Sequence, residues 1–111
     1  SKETEQQIAE FQQAQGQLQV VAMQRSQVRA QLEEIEGALS ELKSAKGKVY
    51  RSTGSLLIES SKGDAEKELS EKKETLSLRM QVLGKQEEKL RSQLMGLKGK
   101  IEAAAKKMGA E

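Results

Sequence analysis

The sequence lacks several residue types on which most compact domains and enzymes depend. Its 111 residues include no proline, cysteine, histidine or tryptophan, and Phe11 and Tyr50 are the only aromatic residues. Without cysteine or histidine there are no ligands for the usual zinc or iron–sulfur sites, and no cysteine nucleophile or histidine-based triad can form. Disulfide bonds are impossible, which fits a reducing compartment. We therefore expect no metal and no cofactor, and a cytoplasmic location.

Catalytic motifs and long apolar runs are missing too. No phosphate-binding loop or nucleophile elbow occurs, and we predict that the chain is not an enzyme. Apolar runs such as residues 20–23 and 56–58 are far shorter than the about 20 residues that cross a bilayer, and no signal-peptide pattern is present. The 19 basic and 17 acidic residues give a net charge of +2. We expect neither membrane insertion nor nucleic-acid binding driven by bulk charge.

What the sequence does contain is a heptad pattern in two long segments. With 35% apolar and 32% charged residues and no proline, the composition is typical of long helices. Over residues 4–46 the a positions are Phe11, Leu18, Arg25, Leu32 and Leu39, and the d positions are Ala14, Val21, Val28, Ile35 and Leu42. Over residues 64–108 the pattern returns, with Lys73 and Glu87 as polar interruptions. A stripe with this period must pack on another helix.

The segment between the helices, residues 47–63, changes period and predicts a β-hairpin. Gly54-Ser55 suits a type II′ turn that would place Thr53 opposite Leu56 and Arg51 opposite Ile58. We expect Gly47 to close helix one in the left-handed conformation and Asp64 to be the N-cap of helix two.

This connection is far too short to return a helix of 46 residues, so the helices must be antiparallel. The sequence therefore predicts an all-α-dominated fold, a long antiparallel two-helix coiled coil with a small β-hairpin at the connection. We expect one unit over residues 1–111, with helix one at 1–46, the hairpin segment at 47–63 and helix two at 64–111. Residues whose numbers sum to about 112 should lie level, which brings Arg25 near Glu87. Either the two charges pair or their positions are a coincidence.

Two groups of apolar residues are not explained by the seam. The hairpin would carry apolar residues on both faces, which a single two-helix coil cannot cover, so other chains should supply the missing strands. The predicted oligomerisation residues are Val49, Tyr50, Leu56, Leu57 and Ile58. A second group gathers where both chain ends lie, together with Met95. Ile8, Phe11, Leu97, Ile101 and Met108 are the predicted residues for binding unfolded polypeptide.

Three stretches of the sequence resemble the beta-class subunits of the prefoldin family. They are residues 49–58 (VYRSTGSLLI), residues 71–76 (EKKETL) followed by Arg79, and residues 85–90 (KQEEKL). A single hairpin in place of two is what separates the beta class from the alpha class in that family.

The resemblance implies a hexamer of two alpha-class and four beta-class subunits joined by their hairpins. It further implies an ATP-independent chaperone that holds unfolded polypeptide at the coiled-coil tips and passes it to a group II chaperonin. Two alternatives stay open from the residues alone. One is a nucleic-acid-binding helical arm, and the other is a purely structural coiled-coil oligomerisation arm.

Overall fold

A computed structural model describes residues 1–110 of the chain. Two long helices flank a β-hairpin in the sequence, in the order α1 (Lys2–Ser44), β1 (Val49–Thr53), β2 (Leu56–Ser60) and α2 (Lys62–Ala110). The described chain divides into two compact units. Residues 1–26 and 81–110 form the first unit, and residues 27–80, which include the hairpin, form the second. In each unit a segment of α1 packs antiparallel on a segment of α2, as the sequence predicts. The single unit expected over residues 1–111 stays a prediction.

The heptad positions form the seam. The most deeply buried apolar side chains all occupy d positions: Ala14, Val28, Ile35, Leu42, Leu83 and Leu97. The other seam residues of the heptad pattern are half-buried, apart from Met108, which is exposed. Outside the seam both helices present mainly Gln, Glu, Lys and Ser to solvent. The core is therefore a single layer of side chains between the two helices, which agrees with the low apolar content of the chain.

The helix ends at the hairpin differ from the prediction by two residues each, about half a turn. Helix α1 ends at Ser44, two residues before the predicted end. Gly47 does not adopt the predicted left-handed conformation: in the described chain only Gly54 has a positive φ. The C-terminal carbonyls of α1 instead accept hydrogen bonds from side chains: Lys62 Nζ donates to the carbonyl of Lys43 at 2.9 Å, and Ser44 Oγ to that of Glu41 at 3.2 Å.

Helix α2 begins at Lys62, and its N-cap is Ser61 in place of the predicted Asp64. The Ser61 hydroxyl accepts a hydrogen bond from the backbone N–H of Asp64 at 3.0 Å, which is the geometry of a side-chain cap. Asp64 lies in the first turn, where its negative charge favours the positive end of the helix.

The hairpin has the predicted register. Thr53 pairs with Leu56, Arg51 with Ile58 and Tyr50 with Glu59. Gly54 has φ of 59°, and no residue other than glycine has positive φ in the described chain, which agrees with a type II′ turn and excludes type I′.

Candidate functional site

The hairpin exposes apolar side chains on both of its faces. By the pleat, Val49, Leu56 and Ile58 share one face, and Tyr50 and Leu57 lie on the other. Leu57 is 72% exposed, and of the five only Val49 is half-buried. The sheet has two strands, so each strand has a free edge within the described chain. These are the five predicted oligomerisation residues, and the fold leaves all but Val49 available to a partner.

Two ion pairs on the surface involve the hairpin and the residues next to it. Arg51 Nη1 lies 3.4 Å from Glu68 Oε2 of α2, and Lys48 Nζ lies 4.0 Å from Glu59 Oε1. Arg51 shares its face with Ile58, so this pair attaches that face to the first turns of α2. Because all four side chains are exposed, each pair contributes little to stability.

The predicted polypeptide-binding residues separate into three levels of accessibility. Ile8 and Met108 are exposed, and Met95 on the same unit is 76% exposed. Phe11 and Ile101 are half-buried in the seam. Leu97 is only 7% exposed, because it occupies a d position against α1. The accessible apolar surface of this unit therefore includes Ile8, Met95 and Met108 but not Leu97.

A shallow groove that sequence reasoning missed lies on the same unit. It has a volume of about 710 Å³, with Val20, Val21 and Leu90 as its apolar residues. Its polar lining contains five glutamines, Lys89 and no carboxylate: Gln12, Gln13, Gln17, Gln86 and Gln93. The groove could have been predicted from Val20, an apolar residue that lies outside the seam and is exposed.

The two polar interruptions of the opposing seams form a charge cluster. Arg25 Nη1 donates to Glu87 Oε2 at 2.8 Å, and Arg91 Nη2 donates to Glu87 Oε1 at 3.1 Å. These bonds, the one from Arg25 first, hold the pKa of the Glu87 carboxyl below its ordinary value. The pairing of Arg25 with Glu87, which the sequence left open, is present.

Neither a membrane-crossing helix nor a metal-binding cluster of acidic, histidine and cysteine side chains occurs among residues 1–110. The fold consists of two long helices joined by a β-hairpin whose apolar residues are uncovered. The unit that does not contain the hairpin carries further accessible apolar residues. These features define a class of subunits that act through contacts with other polypeptides.

The comparisons with known proteins identify the family. The model of the family described as "Prefoldin subunit" matches residues 5–108. The prefoldin beta subunit of Methanosarcina acetivorans is 40% identical over 88% of this chain and 86% of its own length. That of Archaeoglobus fulgidus is 41% identical over 86% of this chain and 84% of its own length. The crystal structure of the prefoldin beta subunit from Thermococcus strain KS-1 superposes with a TM-score of 0.88 at 34% identity, covering 94% of this chain and 93% of that one. The chain belongs to the prefoldin subunit family, in its beta class, and is a chaperone subunit.

Proposed function

We propose that the chain works as one of four beta subunits in a cytoplasmic hexamer with two alpha-class subunits. The hexamer holds unfolded polypeptide without ATP and passes it to a group II chaperonin. The observation that carries this proposal is the hairpin, which exposes apolar residues on both faces and has two free edges.

The hairpin is the assembly element in this proposal. A lone two-stranded hairpin is marginally stable in water, and its free edges present unpaired backbone groups. Strands from neighbouring subunits satisfy those groups, and the opposite faces of Leu56 and Leu57 are then covered by other subunits. Apolar burial supplies the free energy of association.

Unfolded polypeptide binds at the unit that contains both ends of the described chain. Ile8, Met95 and Met108 offer apolar contact there, and Met side chains adapt to varied partners. A patch that buries about 200 Å² gives only ~5 kcal/mol before the entropic cost of association. One subunit is therefore a weak binder, and several subunits acting on the same polypeptide supply the rest.

The assembly role is tested by native mass spectrometry of the chain mixed with an alpha-class prefoldin subunit. The variant Leu56→Lys/Ile58→Lys places charges where the neighbouring subunits would bury them, at a cost of several kcal/mol per unpaired charge. The matched control is Met23→Lys/Leu78→Lys, because these two residues are similarly exposed but lie outside the hairpin. We expect hexamer mass for the wild type and the control, and separated subunits of unchanged helicity for the hairpin variant. A hexamer from the hairpin variant would refute the assembly role.

A further inference from the structure

Arg25 is the one charged residue among the seam positions of α1, and it is held tightly. Its side chain is 35% exposed and that of Glu87 is 12% exposed. The bond between them measures 2.8 Å, and Glu87 is shared with Arg91 one turn further along α2. The Nε atom of Arg25 is buried with no hydrogen-bond partner in the described structure. The Nε atom of Arg25 is thus covered by protein, and the guanidinium is anchored at one end by Glu87.

Gly84 provides the space that the guanidinium occupies. A Cβ atom at position 84 would lie 3.3 Å from Arg25 Nη2 and 3.5 Å from Arg25 Cζ. At the other mid-helix glycines, Gly16, Gly37, Gly96 and Gly99, a Cβ would meet nothing within 4 Å. Gly84 and Glu87 are three residues apart on α2 and so lie on one side of it. We propose that Gly84 and Glu87 form a recess on α2 that accepts Arg25 of α1, and that this insertion fixes the register of the two helices in their unit.

The unit needs such a device because it has no internal connection. It consists of two helix segments, residues 1–26 and 81–110, and the hairpin belongs to the other unit. Its remaining seam positions are mostly Leu, Val, Ala and Met, which fit several staggers nearly equally well. Coiled coils commonly use a polar residue at an a position to select one register.

A slip of one heptad would separate the charges. Arg25 would then face Leu94 or Met80, and Glu87 would face Leu32 or Leu18. Each slipped state therefore places a charge against an apolar side chain, and an unpaired charge that loses water is strongly unfavourable. The cluster therefore acts by penalising the wrong registers.

The recess is tested by alanine at two glycines of α2 in two backgrounds, using chemical unfolding of the full chain. Replacing an unobstructed helical glycine by alanine shifts the unfolding equilibrium toward the folded state by roughly two- to fivefold. We expect that gain for Gly96→Ala, but a smaller gain or a loss for Gly84→Ala, because the guanidinium of Arg25 must shift by a few tenths of an ångström to admit the methyl group. In an Arg25→Ala background, Gly84→Ala should give the full gain. Equal gains at both glycines in the wild-type background would overturn the recess.

The register is tested by cysteine cross-linking, which is straightforward because the chain has no native cysteine. Leu18→Cys/Leu94→Cys reports the native register, since these positions lie one heptad from Arg25 and Glu87. Leu18→Cys/Ile101→Cys reports a slip. With Arg25 and Glu87 intact, we expect an intramolecular disulfide only in the first pair. In an Arg25→Met/Glu87→Leu background, we expect disulfides in both pairs. A disulfide only in the first pair of that background would show that the cluster does not set the register.

Discussion

At the scale of single residues, Glu87 has the most distinctive electrostatics in the chain. Its two carboxylate oxygens accept hydrogen bonds from Arg25 of α1 and Arg91 of α2, and its side chain is mostly buried. Both bonds favour the charged form, so the pKa is lower in the folded chain than in the unfolded one. The folded state therefore gains from Glu87 when the carboxyl is ionised.

This predicts an acid-sensitive contribution to stability. A depressed folded pKa contributes stability that is fully present above the unfolded value of about 4.3 and is lost as the pH falls through the folded pKa. We expect the melting temperature of the wild type to fall between about pH 5 and pH 3, and part of that fall to disappear in Glu87→Gln. The control Glu88→Gln, an exposed neighbour, should keep the whole fall. An identical acid response in Glu87→Gln and wild type would contradict the argument.

The facing of Arg25 and Glu87 could be predicted because an antiparallel hairpin fixes which residue numbers lie level. The role of Gly84 could not. Heptad position places Gly84 outside the seam, and only the path of the Arg25 side chain shows that it needs the space above the glycine. Leu97 was wrongly expected to be accessible from its place near the chain end. Its d position in the heptad pattern buries it.

At the scale of elements, the ends of the helices depend on short-range hydrogen bonds that a sequence pattern locates only approximately. The predicted cap Asp64 lies close to two serines, Ser60 and Ser61, near the start of α2. All three are good N-cap residues, so propensity alone does not choose among them. The choice of Ser61 follows from where β2 ends, because Ser60 is still paired with Val49.

The cap makes a direct prediction. Ser61→Ala removes the acceptor for the Asp64 N–H and should lower the free energy of unfolding by about 1 kcal/mol. Ser92→Ala, at an exposed site inside α2, is the control and should be neutral or slightly stabilising, because alanine is the better helix former. Urea unfolding followed by circular dichroism compares the two. A larger loss at Ser92 than at Ser61 would rule out the cap.

The turn of the hairpin depends on Gly54 in a similar way. Its φ of 59° is readily adopted by glycine but costs an L-residue roughly 1–2 kcal/mol. Gly54→Ala should therefore weaken the hairpin and, with it, assembly with an alpha-class subunit. Gly63→Ala in the first turn of α2, where a Cβ meets nothing within 4 Å, is the control. The midpoint concentration of hexamer formation measures both, and equal midpoints would contradict the role of Gly54.

At the scale of the whole molecule, the residues for the two proposed tasks are separated along the sequence. The uncovered apolar residues of the hairpin belong to residues 49–60, whereas the accessible apolar residues near the chain ends belong to residues 1–11 and 95–108. The fold class and the hairpin register could be predicted because periodicity and turn chemistry are local. The apolar residues near the chain ends could not be treated as one accessible group, because the d position of Leu97 buries it while Ile8, Met95 and Met108 stay exposed.

The separation predicts that binding of unfolded polypeptide can be removed without loss of assembly. Phe11→Ser or Ile101→Ser alone should weaken it only in part, because other subunits still contribute. Deletion of residues 1–11 and 101–111 leaves the hairpin and most of the seam untouched, so the hexamer should still form.

The most direct test of this account is light scattering from a chemically denatured protein diluted into equal concentrations of intact or truncated hexamer. We expect the intact hexamer to suppress aggregation and the hexamer lacking residues 1–11 and 101–111, which keeps only Met95 of the three accessible residues, to suppress it far less. Equal protection by both hexamers would contradict it and would assign the binding of unfolded polypeptide to another part of the complex.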